Sequence, residues 1–295
     1  MTNSRDHLHR FVLQNGAIRG VLVQLELAWQ EVASRAAYPA AIRDVLGKAL
    51  AASAMLTGNI KFRGNLSVQF KSDGDLRLLF AQCSNDGDLR GLAQWRAPLA
   101  DSIDLARQEA AVFAITIEHA DNGQRYQGTV PVESSELAQL IEGYFSQSEQ
   151  LPTQVILACG EGRCAALMVQ RVADGGGIGE LDPDGWNRIR HLTSTVRESE
   201  LLDLSAQTLL TRLYHEEDAS LQESQPLKFA CHCSRERVSA VLRNLGREEA
   251  TAALQQDGKV EVICEFCNSH YHFDRIDLAQ LFLEIAAPPS SQATH

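Results

Sequence analysis

Two closely spaced cysteine pairs near the end of the chain constrain its fold more than any other feature of the sequence. The pairs are Cys231 with Cys233 and Cys264 with Cys267. Pairs at such spacings commonly direct their sulfurs at one metal ion, and four soft thiolates select zinc or an iron–sulfur cluster over hard cations. The pattern therefore predicts a metal site with these four cysteines as its ligands.

A site of four thiolates is closed, because it leaves no position on the metal for water or a substrate. The sequence therefore does not predict a hydrolytic metalloenzyme. His232, His270 and His272 have side chains that can bind metals, but the predicted ligand shell is already full. We interpret His232 as an exposed residue between two ligands, and His270 and His272 as strand residues beside the site.

Thiolates are also the form of cysteine that oxidants attack. The members of each pair are close enough in sequence to form a disulfide if the metal leaves, and the spacing does not decide between a structural staple and a redox switch. Cys83, Cys159 and Cys164 show no ligand spacing, and we interpret them as core or surface thiols. Free thiols fit a reducing cytoplasm better than a secreted disulfide scaffold.

The composition argues against several classes of protein. The chain has 295 residues, of which 44% are hydrophobic and 22% are charged, and it contains no apolar run long enough for a membrane span. The polar start, Met1–Arg10, is not followed by the apolar stretch of a secretory signal. The formal net charge of −11 argues against a sequence-independent nucleic-acid binder, which needs a basic surface. We expect a cytoplasmic protein of two or three domains.

Residues 1–174 are predicted to form an α+β core domain with mainly antiparallel sheets. Apolar residues tend to alternate between Leu8 and Trp29, which is typical of strands, with Gly16 and Gly20 at bends or bulges. Helical spacing of apolar residues predicts a helix from Pro39 to Gly58. The other predicted elements are hairpins around Asp73-Gly74, Asp86-Gly87 and Asp121-Asn122-Gly123, a helix after Ser134, and strands near 155–158 and 165–172.

Residues 175–225 are predicted to form a helical linker region that follows the glycine-rich boundary Asp174–Gly177. Helices are predicted over 184–198, 199–204 and 205–215. Ten acidic and four basic side chains between Glu180 and Glu223 give a net charge of −6. Two interpretations are possible. The segment is either a plain helical linker with a solvated acidic face or an element that folds only while a neighbour supports it. The composition of the segment by itself favours the plain linker.

Residues 226–287 are predicted to form a small metal-binding domain, and residues 288–295 a disordered tail. The predicted elements are helices over 235–245 and 247–256, strands at 259–263 and 271–273, and a final helix that begins after Asp274 and reaches Ile285. A domain of this size has a small core, so we expect it to depend on its metal for folding.

The sequence around the cysteines resembles the zinc-binding end of the heat shock protein 33 family. The resemblance rests on Cys231–Arg237, Cys264–Cys267 and Tyr271–Asp274, and it extends over almost the whole chain. Further motifs in the family's order are Tyr38-Pro39, Lys61–Gly64, Leu89–Gly91, Tyr126–Gly128, Tyr144-Phe145 with Ser148–Thr153, and Arg212–Glu217. Asn268 stands where some members have glycine, and asparagine tolerates the left-handed conformation that such a turn needs.

The resemblance implies a redox-regulated holdase chaperone and not an enzyme. Its reduced state would be an inactive monomer with one zinc ion on the four cysteines. Under oxidative stress, from peroxide with heat or from hypochlorous acid, disulfides Cys231–Cys233 and Cys264–Cys267 would form and zinc would be released. The linker region would then unfold, and the protein would dimerise and hold unfolding client proteins without ATP. On this basis the linker region becomes the conditionally folded element.

Two other functions are compatible with the cysteines alone. A zinc-ribbon nucleic-acid adaptor would need a basic surface, whereas the residues from Pro226 onward include seven basic and nine acidic side chains. A thiol oxidoreductase would place its C-x-x-C motif in a thioredoxin-like βαβ unit, and the sequence predicts no such unit around Cys264. Both alternatives are therefore disfavoured.

Overall fold

The computed structural model describes residues 5–13, 17–160, 162–172, 184–257 and 259–283. The chain divides into two compact units, Met1–Ala230 and Cys231–His295. The predictions for Gly16, for the glycine-rich boundary at 174–177, for the last helix beyond residue 283 and for the tail 288–295 lie outside the described residues. Among the helices that are described, none is long and apolar enough to cross a membrane.

The first unit is an α+β fold, as the sequence predicts. Its strands are β1 (His7–Leu13), β2 (Ile18–Leu25), β3 (Gly64–Lys71), β4 (Leu76–Ser84), β5 (Asp88–Trp95), β6 (Val112–His119), β7 (Arg125–Val130), β8 (Thr153–Gly160), β9 (Arg163–Arg171), β10 (Ser220–Pro226) and β11 (Lys228–Phe229). Its helices are α1 (Leu27–Ala33), α2 (Ala40–Asn59), α3 (Leu137–Tyr144), α4 (Gly185–Ser194), α5 (Glu198–Asp203) and α6 (Ala206–Tyr214). The strand pairs are antiparallel except that β11 runs parallel to β5.

Helix α2 lies between two sheets and forms the centre of the main core. It packs against β3, β4 and β5 of one sheet and against β2, β8 and β9 of the other. Every residue from Ala49 to Thr57 is buried. A helix buried on all sides needs no polar face, and its alanines let the sheets approach closely. The predicted helix is confirmed, with Pro39 immediately before its first residue.

The first sheet has the strand order β10-β1-β2-β9-β8, and its central strands are buried on both faces. In β9, Ala166 and Met168 belong to the main core around α2. Leu167 and Val169 belong to a second core on the opposite face, which α4, α5 and α6 close. Because successive strand residues point to opposite faces, this two-sided burial explains the unbroken apolar run in β9.

The second sheet has the order β11-β5-β4-β3-β6-β7 and contains the predicted hairpins. Strands β3 and β4 flank Asp73-Gly74, β4 and β5 flank Asp86-Gly87, and β6 and β7 flank the turn around Gly123. These local turn signals correctly predicted the antiparallel order of neighbouring strands.

The described part of the predicted linker region, residues 184–225, is here called the acidic segment, and it is folded as part of the first unit. Its predicted helices are present as α4, α5 and α6, and Ser205 caps α6 by accepting a hydrogen bond from the Thr208 N–H at 3.2 Å. Gln24 Nε2 donates to the carbonyl oxygens of Leu201 and Leu204, both at 2.8 Å. These hydrogen bonds pair carbonyl groups that the end of α5 leaves without a partner within the helix.

Beyond α6 the chain forms β10, which pairs antiparallel with β1. This strand was not predicted, because Ser220–Pro226 is mostly polar and exposed and shows no apolar alternation. Strand β11 then pairs with β5, and the Ala230 N–H donates to the Leu89 carbonyl at 2.9 Å. The acidic segment is therefore attached to the first unit both across a sheet face and along a sheet edge.

Two predictions near the start of the chain are wrong. The strand pattern was predicted to reach Trp29, but β2 ends at Leu25 and Trp29 lies buried on α1. The N–H groups of residues 26–28, where α1 begins, donate three hydrogen bonds to the Asp6 carboxylate. Gly20 is at neither a bend nor a bulge. It lies in the regular pairing of β1 with β2, directly opposite Phe11. The glycine is needed there because the Phe11 ring occupies the space that a side chain would fill.

The second unit consists of α7 (Arg235–Leu245), α8 (Arg247–Asp257), the hairpin β12 (Val260–Ile263) with β13 (His270–Phe273), and α9 (Arg275–Leu283). Ser234 caps α7, and the Asp274 carboxylate accepts hydrogen bonds from the N–H groups of Ile276 and Asp277 at the start of α9. The buried apolar core consists of Val238, Leu242, Ala250, Leu254, Val260, Phe273, Leu278 and Leu281. A core of this size gives limited stability by itself.

Gly20 provides a test of the second core. A Cβ atom at position 20 would lie 2.0 Å from Cζ of Phe11, far inside contact distance. Phe11 is 1% exposed and stacks on Tyr214 with ring centroids 6.0 Å apart, so its ring has no free space to enter. We expect Gly20→Ala to destabilise the first unit by about 1–3 kcal/mol, measured by urea unfolding.

Gly143→Ala is the matched control. A Cβ atom there would lie 3.7 Å from Val130, an ordinary contact, and alanine favours helix α3. The two substitutions should therefore change the free energy of unfolding in opposite directions. Unchanged stability of Gly20→Ala would contradict the packing of Phe11 described here.

Candidate metal centre

The four cysteines lie on two loops of the second unit. The first pair lies in the segment before α7, and the second pair lies in the turn between β12 and β13. Two backbone hydrogen bonds close that turn: the Asn268 N–H donates to the Cys264 carbonyl at 2.7 Å, and the Cys264 N–H donates to the Ser269 carbonyl at 2.9 Å. Asn268 has a φ of 58°, in the left-handed region that asparagine tolerates, as the sequence predicts.

The sulfurs of the four cysteines converge in a cysteine cluster, within which all Sγ atoms lie within 4.8 Å of one another. The Sγ atoms of Cys231 and Cys264 are 3.6 Å apart, and those of Cys233 and Cys267 are 3.3 Å apart. Zinc–sulfur bonds of about 2.3 Å in a tetrahedron place the sulfurs ~3.8 Å from one another. The cysteine cluster therefore has the composition and the spacing to hold one metal ion.

Two hydroxyl groups approach the sulfurs. The Tyr271 hydroxyl donates to Cys233 Sγ at 3.1 Å, and the Ser269 hydroxyl lies 3.1 Å from Cys267 Sγ. Donors of this kind stabilise the negative charge of thiolate ligands and fix their orientation. The sequence analysis did not assign Ser269 and Tyr271 to the site. Their positions directly after the second cysteine pair are the signal that could have found them.

Two arginines at the start of α7 contact the two segments that bear the cysteines: Arg237 contacts the first segment and Arg235 contacts the hairpin. Arg237 Nη1 donates to the His232 carbonyl at 2.7 Å, and Arg235 Nη1 donates to the His272 carbonyl at 2.8 Å. The Arg235 guanidinium also lies 4.3 Å from the centroid of the Phe273 ring, within cation–π range. These contacts hold the first cysteine pair close to the second. The His232 side chain is exposed, as we interpreted it.

The thiols of the cluster differ in acidity. Burial raises the pKa of Cys231 to about 12 and also raises the pKa of Cys264. Burial acts in the same direction on Cys267, but hydrogen bonds from Ser269 and from neighbouring thiols outweigh it and lower the pKa to about 6. Four thiolates in one place need a compensating positive charge, which a divalent cation supplies when it displaces the protons.

The other cysteines belong to the first unit. Cys83 and Cys164 are buried and Cys159 is half-buried, as expected for core and surface thiols. Burial raises the pKa of Cys83 and of Cys159 to about 12, which disfavours the reactive thiolate. The donor set of the candidate centre is therefore the four cysteines that the sequence indicates.

Known proteins are similar to this chain in sequence and in fold over nearly their whole length. The family model described as Hsp33 protein matches residues 6–274. A 33 kDa chaperonin of Methylobacillus flagellatus is 40% identical over 291 residues, covering 98% of this chain and 99% of that protein. One from Nitrosococcus oceani is 41% identical over 293 residues, covering 99% and 100%. The crystal structure of the 33 kDa chaperonin (heat shock protein 33 homolog) of Thermotoga maritima shares the fold, with a TM-score of 0.83, 21% identity and coverage of 96% and 100%.

We expect the reduced protein to bind a single thiophilic divalent ion through the cysteine cluster. Cys264→Ser should lose most of this binding, because a serine hydroxyl is a poor ligand for a soft metal in a thiolate site. Metal content after gel filtration measures the effect, and the thiolate-to-cobalt absorption of the cobalt(II) form identifies the ligands.

Cys159→Ser is the matched control. It removes a half-buried thiol of the first unit by the same chemical change and should leave the metal content unchanged. Full retention of the ion in Cys264→Ser would exclude the assignment.

Proposed function

The chain belongs to the Hsp33 family, and we propose that it is a redox-regulated holdase, a chaperone that binds unfolding proteins without ATP after oxidation. The names of its relatives support a chaperone. The observation on which the redox regulation rests is the placement of four convergent thiols directly after an acidic segment that covers an apolar sheet face. A reducing cytoplasm would keep the thiols reduced and the protein inactive.

We propose zinc as the ion, with Cys231, Cys233, Cys264 and Cys267 as its ligands. Bound zinc would cross-link the segment before α7 to the turn between β12 and β13, and such binding contributes about 10–16 kcal/mol in small zinc domains. Whole domains are stable by about 5–15 kcal/mol. The second unit, with its small core, would therefore lose most of its stability when its thiols are no longer available as ligands.

Oxidation would convert the four thiols into two disulfides. For each disulfide, two thiolate sulfurs form one S–S bond and give up two electrons, which together with two protons from the solvent reduce the O–O bond of one hydrogen peroxide to two water molecules. The zinc ion, left without thiolate ligands, would be released. We propose Cys231–Cys233 and Cys264–Cys267, because residues close in sequence remain close when the unit loosens. In the folded cluster the sulfur–sulfur distances of 3.6 and 3.3 Å join a cysteine of one pair to a cysteine of the other. Peptide mapping of the oxidised protein distinguishes disulfides within the pairs from disulfides between them.

Specific buried contacts hold the acidic segment in place. Arg188 Nη2 donates to Glu217 Oε2 at 2.9 Å, and Arg188 Nε donates to Glu217 Oε1. Glu217 is 4% exposed, so its charge is tolerated only while this bidentate pair is intact. The Thr193 and Tyr214 hydroxyls form a buried hydrogen bond of 2.6 Å between α4 and α6. Disturbing a few of these contacts would release a large part of the segment.

Unfolding of the acidic segment would uncover one face of the first sheet. The buried apolar residues of that face are Phe11, Leu13, Ile18, Leu22, Ala158, Ala165, Leu167 and Val169. Large exposed apolar patches commonly mark protein-binding surfaces. We propose that this face holds unfolding client proteins, and that its exposure also favours the dimer of the oxidised state.

The central test compares reduced and oxidised protein. We expect the reduced, zinc-loaded form to leave the aggregation of a heat-unfolded client unchanged, and the peroxide-treated form to suppress it without ATP, because only oxidation uncovers the apolar face. Light scattering measures the aggregation, and peptide mapping measures the disulfides. A thiol reductant should reverse both changes. Equal activity of the two forms, or dominant links to Cys83, Cys159 or Cys164, would contradict the switch.

Leu209→Ala tests whether release of the acidic segment activates the protein. Leu209 is 0% exposed in the second core, so the substitution should destabilise the segment by about 2–5 kcal/mol. We expect partial holdase activity in reducing buffer with zinc still bound. Hydrogen exchange should rise in α4 to α6 and stay slow in the β3–β4 hairpin. Glu217→Gln should act in the same direction by breaking the charge pair with Arg188.

Gln207→Ala is the control for these variants, because Gln207 is exposed on the same helix, α6. It should leave hydrogen exchange and client aggregation as in the unchanged protein. If Leu209→Ala exposes the segment but does not suppress aggregation, then unfolding of the segment is a by-product of oxidation and not its mechanism.

A further inference from the structure

The β12–β13 hairpin has a second group of metal-binding side chains outside the cysteine cluster. Glu261 pairs directly with His272 across the hairpin, and Ile263 pairs with His270. Directly opposed residues of an antiparallel pair share a face, as do residues two apart on one strand. Glu261, His270 and His272 therefore lie on the same face of the hairpin.

Both imidazoles approach the carboxylate of Glu261. Nδ1 of His270 lies 2.7 Å from Oε1 of Glu261, and Nδ1 of His272 lies 3.8 Å from the same oxygen. The two imidazole centroids are 6.3 Å apart. Metal bonds of about 2.0–2.1 Å in a tetrahedral site place such ligand atoms ~3.3 Å apart, between the two separations observed. Rotation of the two imidazoles about their side-chain bonds would bring the three donors around one ion.

The chemistry of the group favours a transition metal over calcium or magnesium. Two imidazoles and one carboxylate suit zinc, nickel or copper, whereas hard cations prefer all-oxygen sites. The side chains of Glu261, His270 and His272 are 36%, 52% and 51% exposed, so an ion can reach them and water can complete its coordination. Lys259 Nζ, 3.9 Å from Glu261 Oε2, opposes a cation and limits the affinity.

We propose that Glu261, His270 and His272 form a second metal site, which binds a divalent transition-metal ion such as zinc more weakly than the cysteine cluster does. Glu261 and His270 lie on the strands that enter and leave the turn bearing Cys264 and Cys267. The site would therefore concentrate zinc beside the thiols. This assignment goes beyond the proposed chaperone function and does not depend on it.

The test is a calorimetric titration of zinc chloride into the reduced, untagged, full-length protein whose cysteine cluster is already saturated with zinc. We expect a second, weaker binding event. His270→Gln with His272→Gln should abolish it, while the zinc content of the cysteine cluster and the circular dichroism stay unchanged. Glu261→Gln should lower the affinity about tenfold or more, and Lys259→Gln should raise it.

The matched control is His7→Gln with His9→Gln. These residues have the same spacing on strand β1, with ring centroids 5.8 Å apart, and their loss should leave the second event unchanged. The proposal is overturned if the unchanged protein shows no second event, if the event survives in the His270 and His272 variant, or if it disappears in the control. Unchanged affinity in Glu261→Gln would overturn the carboxylate's part in the site.

Discussion

Two-sided burial of the five-stranded sheet is the constraint on which the first unit depends. Its central strands are apolar on both faces, so each face needs a cover. Helix α2 covers one face as part of the main core. The other face is covered by α4, α5 and α6, which have 10, 6 and 9 residues and are too short to be stable alone. Burial against the apolar face of the sheet stabilises these helices, and the folded helices in turn shield that face from water.

Electrostatic repulsion opposes the folding of that cover. Excess carboxylates repel one another, and arginines oppose this at a few points: Arg188 binds Glu217, Arg212 binds Glu200, and Arg163 of β9 binds Asp203 at 2.8 Å. The Arg212 hydrogen bond holds the pKa of Glu200 below its ordinary value. The contact with Arg212 therefore stabilises the segment fully at a pH above the ordinary pKa of a glutamate. The stabilisation is lost as the pH falls through the lowered pKa of Glu200.

The same property of the cysteine cluster underlies both of its proposed roles. Thiolates are strong ligands for a soft metal, and they are also the form of sulfur that oxidants attack. A domain with a large core would survive the loss of its metal, but the second unit has only a small apolar core. Loss of the thiolates by oxidation is therefore proposed to have a structural consequence as well as a chemical one.

Local signals in the sequence were sufficient for most of the elements and for the meeting of the four cysteine sulfurs. Asp-Gly turns predicted the hairpins, helical spacing predicted α2, Ser205 and Ser234 predicted helix starts, and the cysteine spacing predicted which sulfurs meet. These features depend on near neighbours in the chain, whose conformational preferences act over a few residues.

Only the tertiary structure decided the features that depend on distant partners. Polar β10 is a strand because β1 offers it an edge, and Gly20 is required because Phe11 packs over it. The Arg188–Glu217 pair and the convergence of Glu261 with two histidines likewise arise from packing and strand register. Residue types and their spacing do not set the strand register or the packing that bring the members of such contacts together, so the sequence determines the parts and the fold decides which of them touch.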